Sequence, residues 1–348
     1  MTFSKKILAW YSENKRSLPW RNTTDPYRIW LSEIMLQQTR VAQGTPYYLK
    51  FTQQFPTVYD LANASEEKVL KLWQGLGYYS RARNLHFTAK TIVEKYQGKF
   101  PDSYDELVKL KGIGDYTASA IASISYNRPE PVVDGNVYRV LSRYFGVDIP
   151  INESKGIKYF KNLAREVLST ENIRDYNQGI MEFGAIQCTP KKPLCISCPL
   201  NRTCIAFQTN NIDRFPVKPK KTKLRKRFFN YLVVLDEDGN THLIKRSGQD
   251  IWQNLYEFPL LETKEEIGVK EVKQRLSEIL TLEEPHLVYE ASETTVIHKL
   301  SHQHLYTKFW IVKTPDRLAN GLSHMELEKY PVPVLIAEFI KTLKNSYF

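Results

Sequence analysis

Apolar residues recur every three to four positions from the start of the chain to about position 210, the period of amphipathic helices. In the opening stretch, Met1 to Arg16, residues Phe3, Ile7, Leu8 and Tyr11 fall at helical spacing with lysines between them. That predicts a surface helix rather than a targeting segment. Asp25-Pro26 and Ser65-Glu66-Glu67 mark further helix starts. Strand-like alternation is absent from this part, and then the texture changes. Phe228 to Leu235 and Thr241 to Arg246 read as strands joined by the turn residues Asp236-Glu237-Asp238-Gly239-Asn240. Thr294 to Leu300 and Leu305 to Lys313 read as a second strand pair around Ser301-His302-Gln303-His304. Helices are expected over Glu265 to Leu280 and after Pro333. No internal repeat or low-complexity tract interrupts either part. The fold class that follows is a mainly α domain over residues 1–214, a linker over 215–227, and an α+β domain over 228–348.

Composition supports this layout. Of 348 residues, 42% are hydrophobic and 12% aromatic, enough for two substantial cores. No apolar run reaches the length of a membrane span. The net charge of +11 suggests a nucleic-acid partner, with an ordinary basic protein as the alternative. Eight of those positive charges (Arg214, Lys218, Lys220, Lys221, Lys223, Arg225, Lys226 and Arg227) crowd Arg214 to Arg227, the linker and the residue before it, where no acid accompanies them. Without them the excess is +3, so charge alone does not decide the partner. Lacking a targeting segment, the chain is expected in the cytoplasm, at the nucleoid. It shows no dimerisation signal, and a monomer is expected.

All four cysteines lie within 17 residues, as Cys188-x6-Cys195-x2-Cys198-x5-Cys204. Four clustered thiols can hold an iron–sulfur cluster or a structural zinc. Zinc usually takes pairs of Cys-x2-Cys, whereas the x6 and x5 loops suit a larger [4Fe–4S] body. Disulfides come third, because they would be spread through a secreted chain.

Three more stretches carry chemistry. Leu110-Lys111-Gly112-Ile113-Gly114-Asp115-Tyr116-Thr117-Ala118 reads as a helix–hairpin–helix. Gly112 and Gly114 permit the tight turn, and the N–H groups of the following helix can hold a phosphate. An ordinary helix–helix turn is the alternative. Pro131-Val132-Val133-Asp134-Gly135-Asn136-Val137 puts Asp134 at a helix N-terminus, where an ionised carboxylate is favoured; a plain N-cap is the alternative. In Trp30-Leu31-Ser32-Glu33-Ile34-Met35-Leu36-Gln37-Gln38-Thr39, helical spacing sets Glu33 among Ile29, Trp30, Leu36 and Gln37. Burial there would raise its pKa. Glu33 then suits a general acid and Asp134 an anion, two carboxylates with separated pKa values. A glutamate at the rim of a core is the alternative.

Taken together, these motifs resemble the helix–hairpin–helix DNA glycosylases with an iron–sulfur cluster, and more closely the adenine-specific mismatch glycosylases of MutY type. The likeness runs from about Leu18 to Phe207. It includes Leu18-Pro19-Trp20-Arg21, Leu72 to Leu85 (LWQGLGYYSRARNL) and Val133 to Val137. The resemblance implies a [4Fe–4S] cofactor on the four cysteines. It implies that duplex DNA is the partner and that adenine opposite 8-oxoguanine or guanine is flipped out and removed by hydrolysis. It assigns Glu33 to protonate adenine at N7 and help activate water. Asp134 stabilises the cationic sugar, by charge or through a covalent intermediate as in retaining glycosidases. Tyr116 stands near the reacting sugar, and Arg21 and Asn136 orient these groups. Gln38 and Thr39 lie beside the damaged guanine. Tyr78, with Leu76 in the same Gly75-Leu76-Gly77-Tyr78 loop, fills the stack near it.

Relatives that also cut the backbone carry a lysine after the hairpin, where this chain has Tyr116. A glycosylase with little or no lyase activity is therefore expected. The competing readings are an endonuclease III-like pyrimidine glycosylase/lyase and a non-catalytic DNA-binding protein. The C-terminal half resembles the Nudix-like domain of the same family. Trp252 to Pro259 is similar to the entry of a Nudix box, but no REx2E helix follows, so a pyrophosphatase is not expected. The resemblance gives this domain the reading of the oxidised guanine, with Ser301 and His302 as contacts. Leu300 replaces the usual phenylalanine beside them.

Overall fold

The structure, a computed structural model, describes residues 2–218, 224–281, 287–292 and 294–346. Lys220, Lys221 and Lys223 of the basic linker lie outside the described residues. No helix among those described is long and apolar enough to cross a membrane. The chain divides into two compact units. The first comprises Met1–Asn63 and Asn84–Lys220, and the second Ala64–Arg83 and Lys221–Phe348.

The first unit is helical throughout. Its elements are α1 (Phe3–Asn14), α2 (Pro26–Met35), α3 (Val41–Gln54), α4 (Val58–Asn63), most of α6 (Ser80–Tyr96), α7 (Tyr104–Leu107), α8 (Asp115–Tyr126), α9 (Gly135–Phe145), α10 (Ser154–Glu166), α11 (Ile173–Glu182) and α12 (Ile205–Gln208). The short α5 (Glu66–Trp73) belongs to the second unit. Asp25 caps α2 through Tyr27 N, with Pro26 in its first turn, so the start is fixed locally. Every residue of α2 from Ile29 to Met35 is buried, Ser32 and Glu33 included, because α2 packs against both α3 and α8. Gly112 turns the α7–α8 hairpin at φ +79°. A Cβ there would stand 2.7 Å from the Asn84 Cβ, so the position admits only glycine. Asp134 caps α9, and Gly146 ends it at φ +66° in the left-handed conformation usual for a helix C-terminus.

In the second unit β1 (Arg225–Leu235) runs parallel to β7 (Gln303–Lys313). β4 (Leu260–Thr263) is antiparallel to β1, and β5 (Leu287–Glu290) and β6 (Val296–Lys299) are antiparallel to β7. Leu232, Val234, Trp310 and Val312 pack against Val272 and Leu276, from α13 (Val269–Arg275) and the turn after it. Phe309 stacks at 3.7 Å on Phe339 of α14 (Val334–Ser346).

Several expectations are corrected here. The Asp236–Asn240 turn forms, closed by Asp236 N to Asn240 O and Asn240 N to Asp236 Oδ1, but it does not make a hairpin. β1 is buried along nearly its whole length and takes both neighbours from distant strands. Only Ile244–Lys245 of the expected second strand is paired (β2), and its partner is Tyr256–Glu257 (β3). The helix expected from Glu265 starts at Val269, because the Thr263 hydroxyl bonds Glu265 O in a turn and Gly268 forms the N-cap. β1 begins at Arg225, inside the stretch read as linker.

Candidate active site

Three helix positions converge on one cleft of about 1050 Å³ in the first unit. Glu33 comes from the interior of α2, Tyr116 from the first turn of α8, and Asp134 from the N-cap of α9. Trp20, Arg21, Gln38, Thr39, Asn136 and Glu182 line the same space. The Tyr116 hydroxyl donates to Glu33 Oε2 and also lies 3.2 Å from Met181 Sδ. Asp134 Oδ1 accepts from Asn136 N (2.9 Å) and Val137 N (2.8 Å), and Oδ2 accepts from Asn136 Nδ2 (2.7 Å).

These contacts give the two carboxylates different environments. Burial pushes Glu33 up to about 7; the nearby Asp134 charge adds to this, while the Tyr116 hydroxyl and Arg21 pull the other way. Burial also raises Asp134, but three N–H donors and the Arg139 charge favour its ionised form. Tyr116 is raised well above the usual tyrosine range, first by burial and then by both carboxylates, so it stays a hydroxyl donor. Near neutrality the arrangement holds a proton on or next to Glu33, beside an Asp134 carboxyl that accepts three N–H bonds.

Arg21 does not touch either carboxylate. Its guanidinium makes a double hydrogen bond to Glu182 (2.9 and 2.6 Å), and Arg16 makes another (2.7 and 2.6 Å) with its backbone N–H adding a third bond. Burial would raise Glu182, but the two arginines outweigh it and hold the pKa at about 2. Glu182 and Arg16 were not picked out from sequence. They are more than 160 residues apart, and no local pattern links them.

Behind Asp134 the chain of contacts continues to the cysteine loop. Asn136 Oδ1 accepts from Arg139 Nη2 (2.7 Å), and Arg139 also bonds Gly184 O (2.7 Å) and Cys188 O (2.7 Å). One turn further along α9, Arg143 reaches Cys188 Sγ (3.5 Å), Thr189 O (2.7 Å) and Pro190 O (3.2 Å). Both arginines are nearly fully buried. Two charges four residues apart on a buried face were the available sequence signal.

Cys188, Cys195, Cys198 and Cys204 carry free thiols and line one small cavity with Arg143, Val140 and Phe183. Among the described residues no three His, Cys, Asp or Glu side chains could hold a single metal ion. The four thiols line one cavity, and thiolates are the donor set that a metal ion or an iron–sulfur cluster takes. In a cubane each iron takes one cysteine. Burial and the other thiols push Cys198 up to about 12, so ligation must displace a proton.

The remaining candidates are dispersed. Gly114 is the exposed N-cap of α8, and a Cβ there would meet nothing in the protein. In the second unit Tyr78 is 49% exposed, whereas Leu76 is buried at 4%. Ser301 and His302 form the exposed tip of the β6–β7 hairpin, closed by Leu300 N to Gln303 O at 2.8 Å.

Residues 31–166 match the HhH-GPD superfamily of base excision DNA repair proteins, and residues 230–342 match the NUDIX domain. An adenine DNA glycosylase of Buchnera aphidicola subsp. Acyrthosiphon pisum (strain APS) is 36% identical over 314 residues, 90% of this chain and 87% of its own length. The chain belongs to the adenine DNA glycosylase family. It is accordingly a DNA glycosylase of base excision repair. The Homo sapiens adenine DNA glycosylase is 42% identical over 215 residues, covering 59% of this chain and 39% of that one. A thermostable thymine-DNA glycosylase aligns at a TM-score of 0.56 and 30% identity, over 60% of this chain and 95% of that one. A non-covalent endonuclease III–DNA complex, at 23% identity and a TM-score of 0.50, shares the fold.

Proposed function

We propose that this protein removes adenine paired with 8-oxoguanine or guanine in duplex DNA by hydrolysing the N-glycosidic bond, leaving an abasic site. The observation that carries the reading is Glu33: a buried carboxyl pushed up to about 7, hydrogen-bonded by Tyr116, in the same cleft as Asp134. A flipped adenine in that cleft receives a proton from Glu33. The bond to the sugar weakens, and positive charge develops on C1′. Asp134, held by Asn136 and two backbone N–H groups, stabilises that charge. Glu33, now ionised, accepts a proton from the attacking water. Gln38 and Thr39 on the cleft wall, and Ser301 and His302 on the hairpin tip, serve recognition of the opposite base. Tyr78 fills the stack. Gly112 and Gly114 bring the start of α8 to a backbone phosphate.

No lysine is among the described residues that line the cleft, and Lys161, which reaches the lining residue Asp115, is also bonded to Ser119 Oγ and Pro131 O. This supports a monofunctional enzyme. Cys188, Cys195, Cys198 and Cys204 would hold a [4Fe–4S] cluster, which supplies metal–thiolate bonds that fold the loop and no step of hydrolysis. Lys191, Lys192 and Arg202 of that loop are then presented to phosphates.

The test is Glu33→Gln in the full chain. It should bind the mispaired duplex with unchanged affinity and lose excision by about a hundredfold or more. Normal excision by this variant would remove Glu33 from the role of acid.

A further inference from the structure

The second unit contains a charge cluster, built round the buried Arg227 and Glu257, that the proposed chemistry does not use. Arg227 is paired twice with Glu262 and twice with Asp250, at 2.7 to 2.9 Å. Arg246 bonds Asp250 and Glu257, each at 2.6 Å, and Tyr231 donates to Glu257 at 3.0 Å. Between Asp250 and Glu257 lies a loop with two left-handed residues, Trp252 at φ +61° and Asn254 at φ +65°. Asparagine tolerates that conformation, but tryptophan adopts it only under constraint. The constraint is visible. Asn254 N bonds Arg246 O (2.7 Å), Arg246 N bonds Leu255 O (2.8 Å), and the Arg246 guanidinium bonds Ile251 O (2.8 Å).

This loop bonds to the segment that carries Tyr78, and every contact lies within the second unit. Asn254 Nδ2 donates to Glu66 at 2.6 Å, and the Tyr256 hydroxyl donates to Glu67 at 2.7 Å, both in the first turn of α5. On the other side of the Gly75–Tyr79 loop, Arg83 donates to Gln253 O at 2.8 Å. Inside the loop, the buried Arg81 bonds Leu76 O and Gly77 O and lies 5.2 and 5.5 Å from the rings of Trp73 and Tyr78. Tyr78 itself is held at φ +48°.

We infer that Asn254 and Tyr256 are positioning residues: the strained 252–256 loop holds the start of α5 on one side of the Gly75–Tyr79 loop and Arg83 on the other, and so helps to set where Tyr78 stands. The C-terminal half thereby has a second task beside reading the opposite base. The inference rests on the proposed role of Tyr78 in filling the stack.

The test uses Asn254→Asp in the full chain. Aspartate keeps the left-handed conformation but opposes Glu66 with a like charge. Adding Glu66→Gln restores the bond with donor and acceptor exchanged. Single-turnover excision is measured with adenine opposite 8-oxoguanine and with adenine opposite an abasic analogue, where no stacked base needs displacing. Asn254→Asp should slow the first about tenfold, the scale of one hydrogen bond to a charged group, and the second less than twofold. The double variant should recover the first rate, and Tyr78→Ala should show the same selective loss. Equal slowing on both duplexes, no slowing, or no recovery in the double variant would overturn the inference. The unsubstituted chain separates the two failures. If it excises no adenine, the proposed function fails; if it excises normally and the variant matches it, the positioning role alone fails.

Discussion

Replacing Tyr116 with phenylalanine isolates one bond in the proposed acid. Glu33 stands at about 7 because burial raises it, while the Tyr116 hydroxyl works against that shift by stabilising the ionised carboxylate. Phenylalanine keeps the ring in the cleft and removes only the donor. A hydrogen bond to a charged group is worth about 1.5–3 kcal/mol, and a pKa unit corresponds to about 1.4 kcal/mol. The Glu33 pKa should therefore rise by roughly one to two units. Only the protonated form can donate to adenine, so the rate is flat below the Glu33 pKa and falls about tenfold per pH unit above it. Tyr116 is itself raised well above the usual tyrosine range and adds no limb in this window. Single-turnover excision from pH 5.5 to 9.5, the assay range, should place the alkaline break near 7 in the unsubstituted enzyme. In Tyr116→Phe it should lie roughly one to two units higher. An unmoved break, or one displaced to lower pH, would refute the claim that this hydroxyl stabilises ionised Glu33. Persistence of the break in Glu33→Gln would refute its assignment to Glu33.

Other consequences are separable. Arg139→Gln removes bonds to Asn136, Gly184 and Cys188 at once. It should cost at least about 3 kcal/mol in urea unfolding and lower excision, with iron content measured alongside. The two hairpin glycines should respond differently. Gly112→Ala is strained at φ +79° and destabilises the fold, whereas Gly114→Ala leaves the melting temperature nearly unchanged and weakens DNA binding, read by anisotropy titration. Glu182 has its pKa lowered from 4.5 to about 2, so the stability it contributes is complete above 4.5 and is lost as pH falls toward 2. The unfolding midpoint of Glu182→Gln, followed from pH 6 to 2.5 as the assay range, should lack that part of the acid slope.

What could be read from sequence was local. Glu33 was legible because seven consecutive buried positions of α2 include one carboxylate, and helical spacing surrounds it with apolar neighbours. Asp134 was legible because an aspartate before Gly135 and a periodic run is the chemistry of an N-cap. The hairpin glycines and the clustered thiols likewise carry their meaning within a few residues. Contacts set by the tertiary fold were not legible. The Arg16–Glu182 and Arg21–Glu182 pairs join residues 166 and 161 positions apart. β1 read as half of a hairpin, yet it is an interior strand of its sheet, paired along its two edges with β4 and β7. The short α5 carries no mark of its place beside Asn254 and Tyr256, because those bonds involve surface-type residues with no periodicity of their own. Helix 265–280 failed at Gly268, a breaker that was visible and outweighed by the apolar pattern after it.

The central claim, hydrolysis of adenine chosen by the base opposite and without backbone cleavage, is tested most directly by single-turnover assay on duplexes with adenine opposite 8-oxoguanine and opposite thymine. The account expects strand scission of the first duplex only, and only after alkali. Equal scission of both duplexes, or scission before alkali, would contradict it.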